Sequence, residues 1–135
     1  MSAAPLVYVF DSEALSRAVR GDRTVMALIE EARREGIPVV VTPMTVVEAD
    51  DGRVQQARWH WIMSRLVIHP LGAEQARSAQ QLRRATGMHG HKYVIDTFLA
   101  VTALDQPGAV IVFTSDVDDL SKLLADRPLV TVQSI

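Results

Sequence analysis

The chain of 135 residues has no cysteine, few aromatic residues and no excess of basic charge. Without cysteine, neither disulfides nor thiolate metal sites can form, so a bound metal must be held by oxygen or imidazole. Because only 5% of the residues are aromatic, the core must consist mainly of Val, Leu, Ile and Ala. The net charge of −2 gives no basic field, although cations bound at an active site would neutralise such a site locally. The charge therefore neither excludes nor supports an RNA substrate.

The sequence also lacks a basic leader and long apolar stretches. No run approaches the roughly 18 continuous apolar residues of a membrane span, and residues 1–10 do not resemble a signal peptide. With 48% hydrophobic and 22% charged residues, the composition is typical of a folded globular protein. We expect a single domain over residues 1–135 and a cytoplasmic location.

Five short apolar segments predict β-strands. Residues 6–10, 38–42 and 109–114 are apolar at nearly every position, as in strands buried on both faces of a parallel sheet. Residues 66–69 and 129–132 are weaker versions and predict edge strands.

Helical patterns lie between these segments. Asp22 and Gly36 are predicted to begin and end the first long helix, and Ser115 is predicted to cap the last one. The other helical stretches are residues 45–65 with a break near Gly52, residues 73–85, and residues 93–104. The alternation predicts an α/β fold, a three-layer α/β/α sandwich around a central, mostly parallel sheet of about five strands.

Acidic residues follow the predicted strands, at the edge where ligands bind in parallel α/β sheets. Asp11 follows the first strand, Glu48 comes within two turns of the second, and Asp116 follows the strand at residues 109–114. Asp96 lies near the start of the most apolar helix. Converging carboxylates would repel one another unless divalent cations lay between them. Mg²⁺ and Mn²⁺ prefer oxygen ligands, activate water and stabilise charge on a phosphodiester, so this pattern indicates metal-dependent phosphodiester chemistry.

Each acid also has a simpler interpretation. Asp11 and Asp116 precede helices that they could merely cap, and Glu48 alone is typical of a solvated helix surface. For Asp96 the alternatives are an exposed position in the first helical turn or a buried ion pair. Nearly every residue around Asp96 is apolar, and burial of an unpaired carboxylate costs roughly several kcal/mol. Asp96 therefore favours the metal-site interpretation most strongly.

The segments VFDSEAL, TVVEA, HKYVIDTFLAVTA and VFTSDVDDLSKLL resemble the four acidic motifs of PIN-domain nucleases. The resemblance is nearest to the small bacterial VapC-type toxins and covers nearly the whole chain in the family's order. It implies a PIN-like fold in which Asp11, Glu48, Asp96 and Asp116 are the catalytic, metal-binding residues. It also implies supporting roles for the hydroxyl residues Thr114 and Ser115 and for an additional acid, Asp119, which could equally be a first-turn helix charge.

The resemblance further implies an Mg²⁺- or Mn²⁺-dependent endoribonuclease with an RNA substrate. It implies a homodimer and a toxin inhibited by a cognate antitoxin. The chain departs from the family at Thr97, where Ala is common; a Thr would be tolerated or would add a hydrogen bond. Near Glu48, both Asp50 and Asp51 compete for the role of the second acid.

Other segments leave two interpretations open. His89, His91 and Lys92 precede Asp96 and would either bind phosphate or form a solvated loop. Trp59 and Trp61 cannot share one helical face closely, which predicts that one is exposed, available to a dimer or antitoxin interface.

Two other functions compete with the ribonuclease. A catalytically silent PIN module that binds RNA or protein remains the main alternative. A phospho-acceptor domain is disfavoured because the first strand is followed by Asp11-Ser12-Glu13 rather than Asp-x-Asp, and Lys122 lies inside a helix.

Overall fold

A five-stranded parallel sheet forms the centre of the computed structural model, which describes residues 5–135. Every neighbouring pair of strands is parallel, and the spatial order is β3-β2-β1-β4-β5. The two weaker segments form the edges, as predicted. The first four residues, part of the segment expected not to be a leader, lie outside the described residues. The strands are β1 (Leu6–Phe10), β2 (Val39–Val41), β3 (Leu66–Ile68), β4 (Ala109–Thr114) and β5 (Val130–Ser134).

Helices cover both faces of the sheet and make the predicted three layers. Along β1, Val7 and Val9 face one helical layer, whereas Tyr8 and Phe10 face the other, as the period-two geometry of a strand requires. The first layer contains α5 (Ala73–Thr86), α6 (Val94–Asp105) and α7 (Val117–Leu123). The second contains α1 (Ser12–Val19), α2 (Arg23–Glu35), α3 (Pro43–Ala49) and α4 (Gln56–Met63).

Local capping signals set most helix ends. The Asp22 carboxylate accepts a hydrogen bond from the Val25 N–H (3.1 Å), and Gly36 ends α2 with a φ of 67°. The predicted break near Gly52 separates α3 from α4. The prediction that Ser115 caps the last helix was wrong, because Asp116 occupies the N-cap position of α7.

The two tryptophans of α4 do not behave as the sequence predicted. Both Trp59 and Trp61 are half-buried and pack against the core that contains Ile62. An indole is large enough to reach a core from a position flanking the buried face. The expectation of one exposed tryptophan was therefore wrong.

None of the helices in residues 5–135 combines the length and the apolar character needed to cross a bilayer.

Candidate active site

A cavity of about 230 Å³ lies at the carboxyl ends of β1 and β4, beside the start of α6. The four acids singled out in the sequence all line it, although they come from four separate segments of the chain. Its walls are formed by Asp11, Ser12, Thr45, Glu48, Lys92, Ile95, Asp96, Leu99, Ser115 and Asp116.

Asp11 is buried, with only 8% of its surface exposed, and both of its carboxylate oxygens accept backbone hydrogen bonds. Oδ1 accepts from the Ala14 N–H (2.8 Å), and Oδ2 accepts from the Ser115 N–H (3.0 Å). Asp11 is therefore the N-cap of α1 and also ties α1 to the turn after β4. A carboxylate has about four lone-pair sites, so capping leaves Asp11 able to bind a cation as well.

Asp96, Asp116 and Asp119 form the tightest acidic cluster in the described part of the chain. One carboxylate oxygen from each lies within 4.8 Å of the others. The pKa of Asp96 is raised to about 8, first by burial, then by its hydrogen bond with Asp116 and by the negative charges of Asp116, Asp119 and Asp11. Without a cation, the Asp96–Asp116 pair therefore holds a proton near neutral pH, and the two carboxyl groups share it in their hydrogen bond.

The two hydroxyl residues before Asp116 contribute in different ways. The buried Thr114 hydroxyl accepts a hydrogen bond from the Asp116 N–H (2.8 Å) and so orients the turn that carries this acid. Ser115 is exposed and contributes its backbone N–H to Asp11.

Asp119 joins the cluster because it lies three residues after Asp116, where α7 begins. Residues at this spacing lie on the same side of a helix. Its neighbour Asp118 is exposed to solvent. From the sequence, Asp119 is either a supporting metal-site acid or a first-turn helix charge, and the geometry places its carboxylate with the other two acids.

Glu48 is exposed at the wall of the cavity, outside the tight cluster. Its two competitors are engaged elsewhere: Asp50 accepts from the Gly52 N–H (3.0 Å), and Asp51 accepts from the Arg53 N–H (2.8 Å). Neither Asp50 nor Asp51 lines the cavity, so Glu48 is the acid that α3 presents to it.

Lys92 is the one basic side chain among the lining residues. Its ammonium group lies 4.7 Å from the centroid of the Tyr93 ring. The pKa of Lys92 is raised, first by its interaction with the Tyr93 side chain and then by the negative charges of Asp119 and Asp116. His89 and His91 are exposed and do not line the cavity. The sequence identified this segment but did not distinguish Lys92 from the two histidines.

Thr97, the departure from the family pattern, is buried and points its hydroxyl away from the acids. The hydroxyl donates a hydrogen bond to the Tyr93 carbonyl oxygen one turn earlier. A Thr is therefore accommodated beside Asp96, with an added hydrogen bond.

The donor set fits a hard divalent cation such as Mg²⁺ or Mn²⁺. The acids offer only oxygen, and the chain has no cysteine that would favour a softer metal. The three carboxylates lie so close together that they retain a proton. A cation can replace that proton at this site.

No protein-family model and no curated protein matches the sequence. Solved structures do resemble its fold. One is a chain of the VapBC2 complex from Rickettsia felis bound to a DNA fragment from their promoter. It has a TM-score of 0.69 and 13% sequence identity, over 96% of this chain and 98% of that chain. Another is a chain of a toxin–antitoxin complex from Klebsiella pneumoniae. Its TM-score is 0.64 and its identity 20%, over 95% of this chain and 99% of that chain. The chain thus has a three-layer, PIN-like α/β/α fold, which it shares with these chains from Rickettsia felis and Klebsiella pneumoniae.

Proposed function

We propose that this protein is a VapC-like PIN ribonuclease that hydrolyses internal RNA phosphodiester bonds with Mg²⁺ or Mn²⁺. The observation that carries the proposal is the Asp96–Asp116–Asp119 cluster, which shares its end of the molecule with Asp11 and Glu48. Such a concentration of carboxylates is unfavourable without cations, which makes cation binding the best account of it.

In this mechanism the cation would be held by Asp96, Asp116 and Asp119, with Asp11 and Glu48 completing the site. When bound, a cation of this kind lowers the pKa of a coordinated water and stabilises negative charge on phosphodiester oxygens. The two backbone hydrogen bonds to Asp11 keep its carboxylate in a fixed orientation, so little reorganisation is needed when substrate arrives.

Lys92 supplies the positive charge that the acids lack. Its ammonium group would contact a non-bridging phosphate oxygen and offset the repulsion between the RNA backbone and the acidic cavity. The attacking group in this mechanism is water.

The same proposal extends to partners. The solved structures with this fold include chains from toxin–antitoxin complexes, which supports an antitoxin partner for this chain. Together with the motif resemblance, this support leads us to propose a cytoplasmic toxin that is a single domain over residues 1–135 and acts as a homodimer.

A cleavage assay tests the activity. Purified protein should cut RNA when Mn²⁺ or Mg²⁺ is added, and Asp96→Asn or Asp119→Asn should abolish cutting without loss of folding. Asp118→Asn is the matched control, since Asp118 is exposed on the same helix and should retain activity. RNA cleavage that survives Asp96→Asn would contradict the proposed mechanism. Calorimetric Mn²⁺ binding without any cleavage would instead favour a silent RNA- or protein-binding module.

A further inference from the structure

A second cavity, of about 280 Å³, adjoins the acidic one and has the opposite charge. We call it the arginine cavity, because Arg20, Arg53 and Arg58 line it beside a single acid, Asp51. Asp51 lines the cavity and the Glu13 carboxylate contacts the Arg20 guanidinium at 3.4 Å, so the three guanidinium groups outnumber these two carboxylates by one and leave a local excess of positive charge. This excess contrasts with the net charge of −2 of the whole chain.

The two cavities lie in a row along the same pair of helices, α1 and α3. On α1, Ser12 lines the acidic cavity and Ser16 lines the arginine cavity, one turn further along. On α3, Thr45 and Ala49 show the same four-residue step. The eight helical steps from Ser12 to Arg20 correspond to about 12 Å along a helix axis. A small number of nucleotides in an extended strand span such a distance.

The backbone holds one guanidinium of the arginine cavity in place. Gly21 has a φ of +86°, and a Cβ at this position would lie 3.2 Å from Cζ of Arg58. The Arg58 guanidinium therefore packs closely against Gly21, and it donates a hydrogen bond to the Val19 carbonyl oxygen (3.3 Å). A guanidinium has five N–H donors, so this contact leaves others available for an anion.

The other two arginines complete the cavity from different sides. Arg20 donates to the Ser16 hydroxyl (2.7 Å) and to the Glu13 carboxylate (3.4 Å), which keeps its guanidinium beside α1. The Asp51 carboxylate accepts from the backbone N–H of Arg53 and so holds the loop, and Arg53 itself is exposed. Arginine matches phosphate geometry through paired N–H groups, which makes a phosphate a suitable ligand.

We propose that the arginine cavity binds a backbone phosphate of an unpaired RNA strand whose scissile phosphate lies in the acidic cavity. This inference rests on the proposed ribonuclease function and adds a second contact point for the substrate. An unpaired strand suits the geometry because Asp11 and Asp96 lie in a recess, into which a flexible backbone bends more readily than a rigid duplex.

Binding of a short, labelled, unpaired RNA tests the inference. The measurement is fluorescence anisotropy in an Asp96→Asn background, which prevents cleavage during titration. Arg53→Gln and Arg20→Gln should each weaken binding about fivefold, the upper end for one exposed ion pair. Each should also reduce the slope of log K against log salt by about 0.7, the value for one lost phosphate contact in a single strand. Mn²⁺ affinity, measured in the otherwise unmodified protein, should not change.

Arg34→Gln is the matched control. Arg34 is exposed in the last turn of α2, which leads to the start of β2 and therefore to the sheet edge opposite the acids. Arg34→Gln removes the same charge and should alter neither the RNA affinity nor the salt slope.

Two failures are distinguishable. If the unmodified protein cleaves RNA but Arg53→Gln and Arg20→Gln behave like Arg34→Gln, the arginine cavity does not bind the substrate and the proposed function stands. Binding of an acidic protein segment there, with RNA affinity unaffected by the substitutions, would overturn the inference in the same way. If the unmodified protein neither binds nor cleaves RNA with Mn²⁺, the proposed function fails and this inference fails with it.

Discussion

Asp96 and Asp116 share a hydrogen bond although both are acids, so one of them must be protonated when no cation is present. Burial, the hydrogen bond with Asp116 and the charges of the neighbouring carboxylates raise the pKa of Asp96 to about 8, so the pair holds this proton near neutral pH. The same cluster of carboxylates that favours a divalent cation therefore binds a proton at neutral pH. Metal binding, stability and pH are consequently linked at this residue.

Mn²⁺ binding should strengthen as the pH rises and then level off above about 8. Below the pKa of Asp96, the cation must displace one proton, so the apparent Kd should fall by about tenfold per pH unit. Calorimetry in buffers of different ionisation enthalpy should find about one proton released per binding event at pH 7. An affinity that stays constant from pH 6 to pH 8 would argue against the shared proton.

Asp96→Asn should stabilise the metal-free protein. Because the folded-state pKa is raised from 3.8 to about 8, the folded protein binds more protons than the unfolded chain between these values, and its stability falls as the pH rises through this window. Asparagine has no acidic proton, so it does not become charged in this pH window and avoids this loss of stability. The gain in Tm should be negligible near pH 4 and reach roughly 3 °C at pH 8, a modest value because Asp96 is only half-buried.

Thermal unfolding with excess chelator measures this gain, and Asp118→Asn is the control at an exposed position on the adjacent helix. At pH 8, the Tm of Asp96→Asn could instead be equal to or below that of the unmodified protein. This result would show that the neighbouring carboxylates do not disfavour the ionised form of Asp96.

The strand segments, the two edge strands and most helix ends followed from local patterns, but the composition of the acidic cluster did not. Asp22 and Gly36 act within one turn of their own helix, so their roles were visible in the sequence. Asp119 lies three residues after Asp116 whichever residue caps α7, so these two acids share one side of the helix in either case. The sequence could not show that the start of α6 brings a carboxylate oxygen of Asp96 within 4.8 Å of one from each of them.

The arginine cavity could not be predicted from the sequence, for a different reason. Arg20 comes from the end of α1, whereas Arg53 and Arg58 lie more than 30 residues later in the chain. Only the packing of α1 against α3 and α4, with Gly21 making room for a guanidinium, brings them to one place. The spacing of residues along the sequence does not predict such a tertiary contact.

Thr114→Val should loosen the acidic cluster while keeping the shape of the buried side chain. The Asp116 N–H would lose its acceptor, which costs about 1 kcal/mol for a donor that is only partly buried. Mn²⁺ affinity should fall as well, because the turn that presents Asp116 is less fixed. Urea unfolding and calorimetry measure the two effects. Thr131→Val, at an exposed position of the edge strand β5, should leave both quantities unchanged, and an equal loss in the two variants would exclude a specific role for Thr114.

Lys92→Met should reduce RNA cleavage without weakening the metal site. The substitution removes the only positive side chain lining the acidic cavity, so kcat/KM should fall about tenfold, which corresponds to roughly 1.4 kcal/mol of transition-state stabilisation. Mn²⁺ affinity should stay the same or increase, because a neighbouring positive charge has gone. Lys92→Arg keeps the charge and should restore most of the activity.

The chain has one other lysine, Lys122, which is exposed on α7, and Lys122→Met is therefore a control for loss of a lysine charge. If Lys92→Met lowered Mn²⁺ affinity and cleavage in parallel, Lys92 would be supporting the acids rather than contacting the phosphate.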